Sequence, residues 1–329
     1  MTEATAGRPS SSRRPGPPPA IAPELVTALG APQQPITAAA LPSLRIAQPS
    51  PTDAELARGG AFLIREIAVP GPEAAPAVQL ILCLPAGRKP TGCIYFIHGG
   101  GMMLGTPRNG LAEILEYAEA SGLLVASVDY RLAPETRHPG PVQDCYAGLV
   151  WVAAHCTQLG FPPGRLIVAG TSAGGGLGAA AVLMARDRGG PSIAAQMLLA
   201  PMLDHRNDTR SMLQLQGAGT WNRETNQLGW NSLLGPDIDR ARVSPYASPS
   251  QAKDLAGLPP SYIDVGAADA FLDEDVDYAL RIIRAGGLAE LHVWPGAYHG
   301  FEGLAPDSAI TRDAKLARAA FVRRAADNT

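Results

Sequence analysis

The chain has 329 residues, of which 46% are hydrophobic and 17% are charged, and its formal net charge is −3. This length and composition predict a globular protein of one or two domains that can bury a full α/β core. No cluster of Lys and Arg forms a basic surface, so we expect no nucleic-acid partner.

The beginning of the chain differs in composition from the rest. Residues 1–20 are rich in Ser, Pro and Arg, which predicts a disordered tail. They lack the apolar stretch of a signal peptide, and no apolar run approaches the roughly 18 residues of a membrane-spanning helix. We therefore expect a cytoplasmic protein with no membrane partner. The four cysteines have no paired spacing, which favours small buried side chains over disulfides.

Strand-length apolar runs alternate with helical stretches from residue 61 onward. The runs at 61–70 and 76–85 flank a turn-like segment and predict an antiparallel pair. Further strands are predicted at 93–98, 123–130, 165–170, 193–200, 261–266 and 291–295. Helices are predicted at 111–120, 142–159, 173–187, 273–285 and 308–326. The alternation predicts a doubly wound α/β domain with a mostly parallel sheet flanked by helices.

Two segments do not follow this alternation. Residues 21–60 contain short helical pieces separated by Pro, and residues 204–257 are polar and contain Trp221 and Trp230 but no similar strand. We predict that 204–257 is an insertion above the sheet. It divides the α/β core into a first part, 61–203, and a second part, 258–329.

A nucleophile motif lies between a predicted strand and a predicted helix. Residues 170–174 read G-T-S-A-G and match the pattern G-x-S-x-G, with Ser172 at its centre. The strand–turn–helix setting is the one in which this motif places a serine hydroxyl on a sharp, strained turn. A side chain at Gly170 or Gly174 would collide with the neighbouring backbone. We therefore predict that Ser172 is a catalytic nucleophile rather than part of a structural glycine-rich turn.

A second glycine-rich segment follows the strand at 93–98. Residues 98–101 read H-G-G-G, and the sequence around them has neither the G-x-G-x-x-G pattern nor the Lys of a phosphate-binding loop. Such a loop can direct backbone N–H groups at a developing oxyanion. We predict donors at Gly99 and Gly100, joined by the N–H of Ala173, and a structural role for His98.

The base and the acid follow from the chain order Ser, acid, His of this motif class. His299 lies in a Gly-flanked loop after the last strand, whereas His205 falls in the insertion and His292 within a strand. Asp269 follows the strand at 261–266, where catalytic groups of parallel sheets gather. We predict His299 as the base and Asp269 as its acid, with Asp273 as the second choice.

These segments together resemble the bacterial hormone-sensitive-lipase-like esterases. The matching runs are H-G-G-G at 98–101, Y-R-L-A-P-E at 130–135, G-T-S-A-G at 170–174, S-P-Y-A-S at 244–248 and Y-H-G-F at 298–301. Thr171 places the chain near the GTSAG branch of that family. Met102 stands where an aromatic residue is common, and D-A-F-L-D at 269–273 differs from the usual D-P-L-R-D.

The resemblance implies an α/β-hydrolase fold with a helical cap built from 21–60 and 204–257. It also implies hydrolysis of short acyl esters through an acyl-enzyme, without metal or cofactor, and dimerisation near the last strand. The expected partner is a small-molecule ester. Our candidates for the substrate pocket are Met102, Met103, Met202, Leu203 and Phe271.

Two alternatives remain open from the sequence. An amidase could use the same triad, because amide and ester cleavage share the acyl-enzyme route. Hormone receptors on the same fold lack the catalytic histidine, and the presence of His299 argues against that role. Arg131 and Glu135 have no derived catalytic role and are predicted to form internal salt bridges.

Overall fold

One sheet of eight strands runs through the computed structural model, which describes residues 16–30, 34–73 and 75–327. Most of the predicted tail, residues 1–15, lies outside the described residues. The strands are β1 (Phe62–Val69), β2 (Val78–Pro85), β3 (Cys93–Ile97), β4 (Leu124–Asp129), β5 (Leu166–Thr171), β6 (Ala195–Leu199), β7 (Ser261–Gly266) and β8 (Ala289–Trp294).

The strand order across the sheet is β1-β2-β4-β3-β5-β6-β7-β8. Strand β2 is antiparallel to β1 and β4, and every other neighbouring pair is parallel. The predicted antiparallel pair and the mostly parallel sheet are therefore confirmed. The central strands β3, β5, β6 and β7 are buried almost throughout, as expected for parallel strands covered on both faces.

Helices cover both faces of the sheet. They are α1 (Pro23–Leu29), α2 (Leu41–Ala47), α3 (Asp53–Leu56), α4 (Leu111–Ser121), α5 (Gly140–Ala154), α6 (Cys156–Leu159), α7 (Ala173–Arg188), α8 (Arg210–Gln214), α9 (Arg223–Leu234), α10 (Leu272–Arg284), α11 (Phe301–Leu304) and α12 (Ala309–Asp327). Short 3₁₀ turns occur at Ala38–Ala40, Arg58–Gly60, Arg240–Arg242 and Pro249–Gln251. Within the described ranges, none of the helices is long and apolar enough to cross a membrane.

Two apolar layers fill the space between the sheet and the helices. One layer joins α5, α7 and α10 to the sheet, and the other joins α3, α4 and α12 to the opposite face. All four cysteines are free and buried in these layers, which confirms their prediction as small buried side chains.

The predicted helix 142–159 is wrong in one detail, since it is two helices that meet at His155. The backbone of His155 leaves the helical region, with φ −106° and ψ 13°. Its ring stacks on Trp151, and its Nδ1 lies 2.8 Å from the Trp151 carbonyl oxygen. Such a local side-chain bond to the preceding turn competes with continuation of the helix.

The insertion contacts the N-terminal segment and also the end of the predicted tail. The Ile36 N–H donates to Thr225 Oγ1 at the start of α9, and Gln214 Nε2 in α8 donates to the Pro17 carbonyl. Helix α3 packs instead against α4 and β1. The division of the chain into a core and a two-part cap remains a prediction.

A buried arginine links four elements of the fold. Arg318 in α12 is 2% exposed, and its guanidinium contacts Asp264 in β7 (2.8 and 3.2 Å), Glu113 in α4 (2.7 Å) and Glu302 in α11 (3.4 Å). Removing one partner from such a buried cluster leaves uncompensated charge in a place of low polarity.

We expect Arg318→Met to lower the free energy of unfolding by about 3–5 kcal/mol, because Asp264 then keeps a buried charge without its partner. Urea unfolding followed by circular dichroism measures this change. Arg324→Met is the control: the Arg324 side chain is half exposed and contacts Glu290, so the loss should stay below about 1 kcal/mol. Equal losses in the two variants would contradict the prediction.

Candidate active site

Ser172 stands on the sharp turn between β5 and α7. Its backbone has φ 57° and ψ −121°, a conformation that a residue with a side chain rarely adopts. Hydrogen bonds maintain it: the Ser172 N–H donates to Leu199 O (2.8 Å), and its carbonyl accepts from Met202 N (2.9 Å) and Gly176 N (3.0 Å). The strained turn is therefore held by hydrogen bonds to the end of β6, to the chain that follows it and to the first turn of α7.

Gly174, two residues after the nucleophile, allows α7 to approach β3 closely. A Cβ atom on Gly174 would lie 2.0 Å from the Ile97 carbonyl oxygen and 2.4 Å from that of His98. No side chain fits there, which is the physical reason for the final glycine of G-x-S-x-G. This close approach brings the nucleophile next to the loop that begins at His98.

The three predicted triad residues form one chain of hydrogen bonds. His299 Nε2 lies 3.0 Å from Ser172 Oγ, and His299 Nδ1 lies 2.8 Å from Asp269 Oδ2. The other oxygen of Asp269 accepts the Phe271 N–H at 3.0 Å. The three side chains come from segments that follow β5, β7 and β8, and so they meet at the carboxyl ends of these parallel strands.

Burial and charge determine the protonation of His299. The Asp269 carboxylate only accepts hydrogen bonds, so Nδ1 carries the proton and Nε2 can accept from the Ser172 hydroxyl. Burial lowers the pKa of His299, whereas the charge of Asp269, the hydrogen bond to it and the charge of Glu302 raise it. Together the effects that raise the pKa outweigh burial, so the pKa of His299 lies above its ordinary value of 6.5.

The other two histidines considered for the base contact different groups. His205 is buried, with Nδ1 at 3.1 Å from Ser248 Oγ and Nε2 at 3.0 Å from the Arg240 carbonyl oxygen. His292 lies in β8 with Nε2 at 2.9 Å from Glu290 Oε1. The structure therefore brings neither of these two rings to Ser172.

The acidic residues near the start of α10 have separate partners. Asp273 Oδ2 accepts the Ser211 N–H (2.8 Å) and so joins α8 to α10. Glu274 is buried, and its Oε1 accepts from Leu203 N (2.7 Å) and Asp204 N (3.1 Å). Burial raises the pKa of Glu274, and the charge of Asp204 adds to the effect. Glu274 thus anchors the chain after β6, a role for which the sequence carried no signal.

The predicted oxyanion loop lies against the nucleophile turn. An atom at the Cβ position of Gly99 would be 3.3 Å from Ser172 Cβ. Gly100, Gly101 and Met102 follow with φ of 112°, 62° and 62°. Met102 carries a side chain, and a left-handed conformation costs such a residue roughly 1–2 kcal/mol. Ala173 begins α7, where a helix has unpaired N–H groups.

His98 is neutral and structural in this arrangement. Burial lowers its pKa to about 4, although the hydrogen bond to Gly99 acts in the opposite direction. Its Nδ1 lies 2.8 Å from the Gly99 carbonyl oxygen, and its ring stacks on Tyr130 with centroids 4.3 Å apart. The Tyr130 hydroxyl donates to the His98 carbonyl (3.0 Å). Together these contacts determine the direction in which the loop leaves β3.

The predicted pocket side chains are buried around this site. All five have no exposed surface, and Phe271 meets the His299 ring edge-on with centroids 5.1 Å apart. The five are Met102, Met103, Met202, Leu203 and Phe271. Their contact with substrate remains a prediction.

Sequence reasoning missed Trp221 as a residue of the site. Its ring lies 6.1 Å from that of His299, and a Cβ on Gly101 would be 2.3 Å from the ring. Its Nε1 donates to Asn226 Oδ1 (3.0 Å), which fixes the ring. The adjacent Thr220 hydroxyl donates to the His299 carbonyl (2.5 Å). The available signal was a pair of tryptophans, Trp221 and Trp230, in an otherwise polar segment, and it did not distinguish between them.

In the part of the chain that the structure describes, no group of three or more His, Cys, Asp or Glu side chains could hold a metal ion. The expected absence of metal and cofactor remains a prediction.

The chain is similar to known proteins in sequence and in fold. Residues 94–303 match a family model described as the alpha/beta hydrolase fold. The chain is 36% identical over 247 residues to the carboxylic ester hydrolase LipN of Mycobacterium tuberculosis, covering 73% of this chain and 65% of LipN. It is 33% identical over 212 residues to the esterase LipI of the same organism, covering 64% of this chain and 66% of LipI. The chain thus matches slightly less than two thirds of the length of both relatives.

Solved structures resemble the chain over nearly its whole length. A bacterial heroin esterase superposes with a TM-score of 0.85 at 38% identity, covering 93% of this chain and 98% of that one. The esterase LipW of Mycobacterium marinum superposes with a TM-score of 0.83 at 30% identity, covering 94% and 98%. The predicted α/β-hydrolase fold and the esterase resemblance are confirmed.

The raised pKa of His299 predicts an acid limb in kcat/KM whose midpoint lies above 6.5. A general base must be neutral, so activity falls as the pH falls through the raised pKa. Asp269→Asn should move the midpoint to lower pH, because the negative charge that raises the pKa of His299 is lost. The same change should lower kcat about 10⁴-fold, because the tautomer of His299 with its proton on Nδ1 is no longer enforced. Rates on p-nitrophenyl acetate between pH 5 and 9 measure both effects.

Asp273→Asn is the matched control, since its carboxylate contacts Ser211 and not His299. We expect its acid limb to coincide with that of the unmodified protein. If Asp273→Asn shifts the limb and Asp269→Asn does not, the assignment of the acid is wrong.

Proposed function

The chain belongs to the α/β-hydrolase fold family, among the bacterial hormone-sensitive-lipase-like esterases, and we propose that it is a serine carboxylesterase for small esters. The observation that carries this proposal is the hydrogen-bond chain from Ser172 through His299 to Asp269, beside a glycine loop and at the start of a helix. These are the parts that acyl transfer needs: a nucleophile, an oriented base and donors for an oxyanion.

In the proposed reaction His299 Nε2 takes the hydroxyl proton of Ser172 while Oγ attacks the ester carbonyl carbon. The oxygen of the tetrahedral intermediate accepts hydrogen bonds from the N–H groups of Gly99, Gly100 and Ala173. The intermediate collapses, and the departing alkoxide takes the proton from His299 to leave as the alcohol. Water then attacks the acyl-enzyme with His299 as base, which releases the carboxylic acid and restores Ser172.

The surroundings of the triad support a preference for short acyl groups. The five pocket candidates are fully buried, and Trp221, only 8% exposed, packs on Gly101 beside His299. A long chain would have to displace these side chains. Flexible methionine side chains can adapt to varied small apolar groups, which supports broad selectivity. We propose acyl chains of about two to eight carbons as the preferred range.

Cleavage of amides is the alternative outcome of the same chemistry. It differs mainly in the protonation of the leaving group, and rates on matched p-nitrophenyl and p-nitroanilide substrates separate the two activities. A binding-only role is tested by the same rates.

We further propose a homodimer that forms at β8. This strand lies at the edge of the sheet and exposes Val293 (41%), and Leu288 before it is 71% exposed. An edge strand with exposed apolar side chains is suited to pairing with a second copy. The cytoplasmic location and the absence of nucleic-acid and membrane partners remain predictions.

We expect a fluorophosphonate to label Ser172 alone, because His299 is placed to remove its proton. Mass spectrometry of the labelled chain identifies the residue. Ser172→Ala should abolish labelling and lower kcat by about 10³-fold or more. His299→Ala should prevent labelling, and His292→Ala should retain it. Labelling at another residue of an active preparation would refute the proposed nucleophile.

Among p-nitrophenyl esters from acetate to palmitate, the specificity constant kcat/KM should be highest for the octanoate or for an ester with a shorter acyl chain. Each methylene group buried in the pocket adds up to about 0.8 kcal/mol, about fourfold in rate, until the pocket is full. Trp221→Ala should move the peak to longer chains, because the ring no longer closes the site.

Trp151→Ala serves as the control, since Trp151 lies in α5 and its ring stacks on His155 rather than on a triad residue. It should leave the chain-length profile unchanged. A peak at dodecanoate or beyond in the unmodified protein would refute the small-pocket proposal.

A further inference from the structure

The oxyanion loop has a backbone conformation that needs external support. Gly100, Gly101 and Met102 are three successive residues with positive φ, and Met102 is not a glycine. Strained conformations of this kind persist when surrounding contacts over-determine them. Contacts from other parts of the chain must therefore hold the loop.

Arg45 in α2 supplies two of these contacts. Its Nε donates to the Met103 carbonyl at 2.8 Å, and its Nη2 donates to the Ala133 carbonyl at 2.7 Å. The Ala133 N–H in turn donates to the Met102 carbonyl at 2.9 Å. One guanidinium thus joins the oxyanion loop to the residue that binds the strained Met102.

Glu135 orients this guanidinium from the solvent side. Its two carboxylate oxygens accept from Arg45 Nη1 (2.9 Å) and Nη2 (3.0 Å). The Glu135 side chain is 64% exposed and that of Arg45 27% exposed, so water weakens this ion pair. The bonds to the two carbonyls are part-buried and directional, and they require the planar fork of an arginine.

Residues close to Arg45 in the chain contact the continuation of the same loop. Gln48 Oε1 accepts the Gly105 N–H at 2.9 Å, and Asn109 Nδ2 donates to the Pro49 carbonyl at 3.0 Å. The segment around Arg45 therefore lies along the loop that follows the glycine run.

We propose that Arg45 is a positioning residue for the oxyanion donors of Gly99 and Gly100. It preserves the strained loop by binding the Met103 and Ala133 carbonyls, and it touches neither substrate nor triad. The inference rests on the proposed esterase function. Because the donors act on the charge that develops in the transition state, loss of Arg45 should lower kcat much more than it changes KM.

Three variants test this role, with p-nitrophenyl acetate as substrate and active sites counted by fluorophosphonate titration. Arg45→Met, which keeps the apolar stem, should lower kcat about 10–100-fold with KM within about threefold. The lysine of Arg45→Lys has a compact ammonium in place of the planar fork, so its kcat should lie between that of Arg45→Met and that of the unmodified protein. Glu135→Gln keeps the carbonyl bonds and should lower kcat less than about threefold.

Arg58→Met is the control for loss of an N-terminal arginine. Arg58 is 31% exposed and pairs with Glu119 at 2.8 Å, so its removal should leave kcat unchanged. Inhibition by phenylboronic acid adds an independent readout, since a tetrahedral boronate on Ser172 presents an oxygen to the oxyanion donors. Its affinity should fall in Arg45→Met in parallel with kcat.

The outcomes separate this inference from the proposed function. If Arg45→Met loses thermal stability but keeps kcat and boronate affinity per labelled site, Arg45 is only structural and the inference is wrong. If the unmodified protein is neither labelled at Ser172 nor active on esters, the proposed function fails and the inference fails with it.

Discussion

The close contact between the start of α7 and the end of β3 is the constraint on which the site depends. Only a residue without a side chain can occupy position 174, because the carbonyl oxygens of Ile97 and His98 fill the space of a Cβ atom. Strands β3 and β5 are neighbours in the sheet, so this contact places the nucleophile turn beside the glycine loop. The acid and the base then come from the segments that follow β7 and β8, two parallel neighbours whose carboxyl ends lie side by side.

The architecture could be predicted because its signals are local. Apolar runs of strand length alternate with helical stretches, and buried parallel strands leave that pattern in the sequence. The triad residues could be predicted for the same reason. Ser172, Asp269 and His299 each follow a recognisable strand, and parallel strands bring their carboxyl ends together. The break at His155 was not predictable, because a side-chain bond to the preceding turn leaves no mark on apolar periodicity.

The residues that escaped prediction act through contacts between distant parts of the chain. Trp221 meets Gly101 across 120 positions, and Glu274 binds the backbone after β6 from a helix about 70 residues later. Arg45 contacts a loop that lies about 58 residues away. Helical or strand periodicity cannot indicate such pairs, since it reports only which face of an element is apolar.

The four buried thiols give the core a built-in reporter of its own opening. Burial raises the pKa of Cys83 to about 12, and it also raises the pKa of Cys93 and Cys145, so thiolate is scarce while the sheet stays covered. Cys83 and Cys93 lie in β2 and β3, and Cys145 and Cys156 lie in or beside α5. A thiol reagent in solution therefore meets these side chains when the layers separate, and the rate of modification measures how often they do. The sheet and one of its covering helices can be followed in this way without any engineered probe.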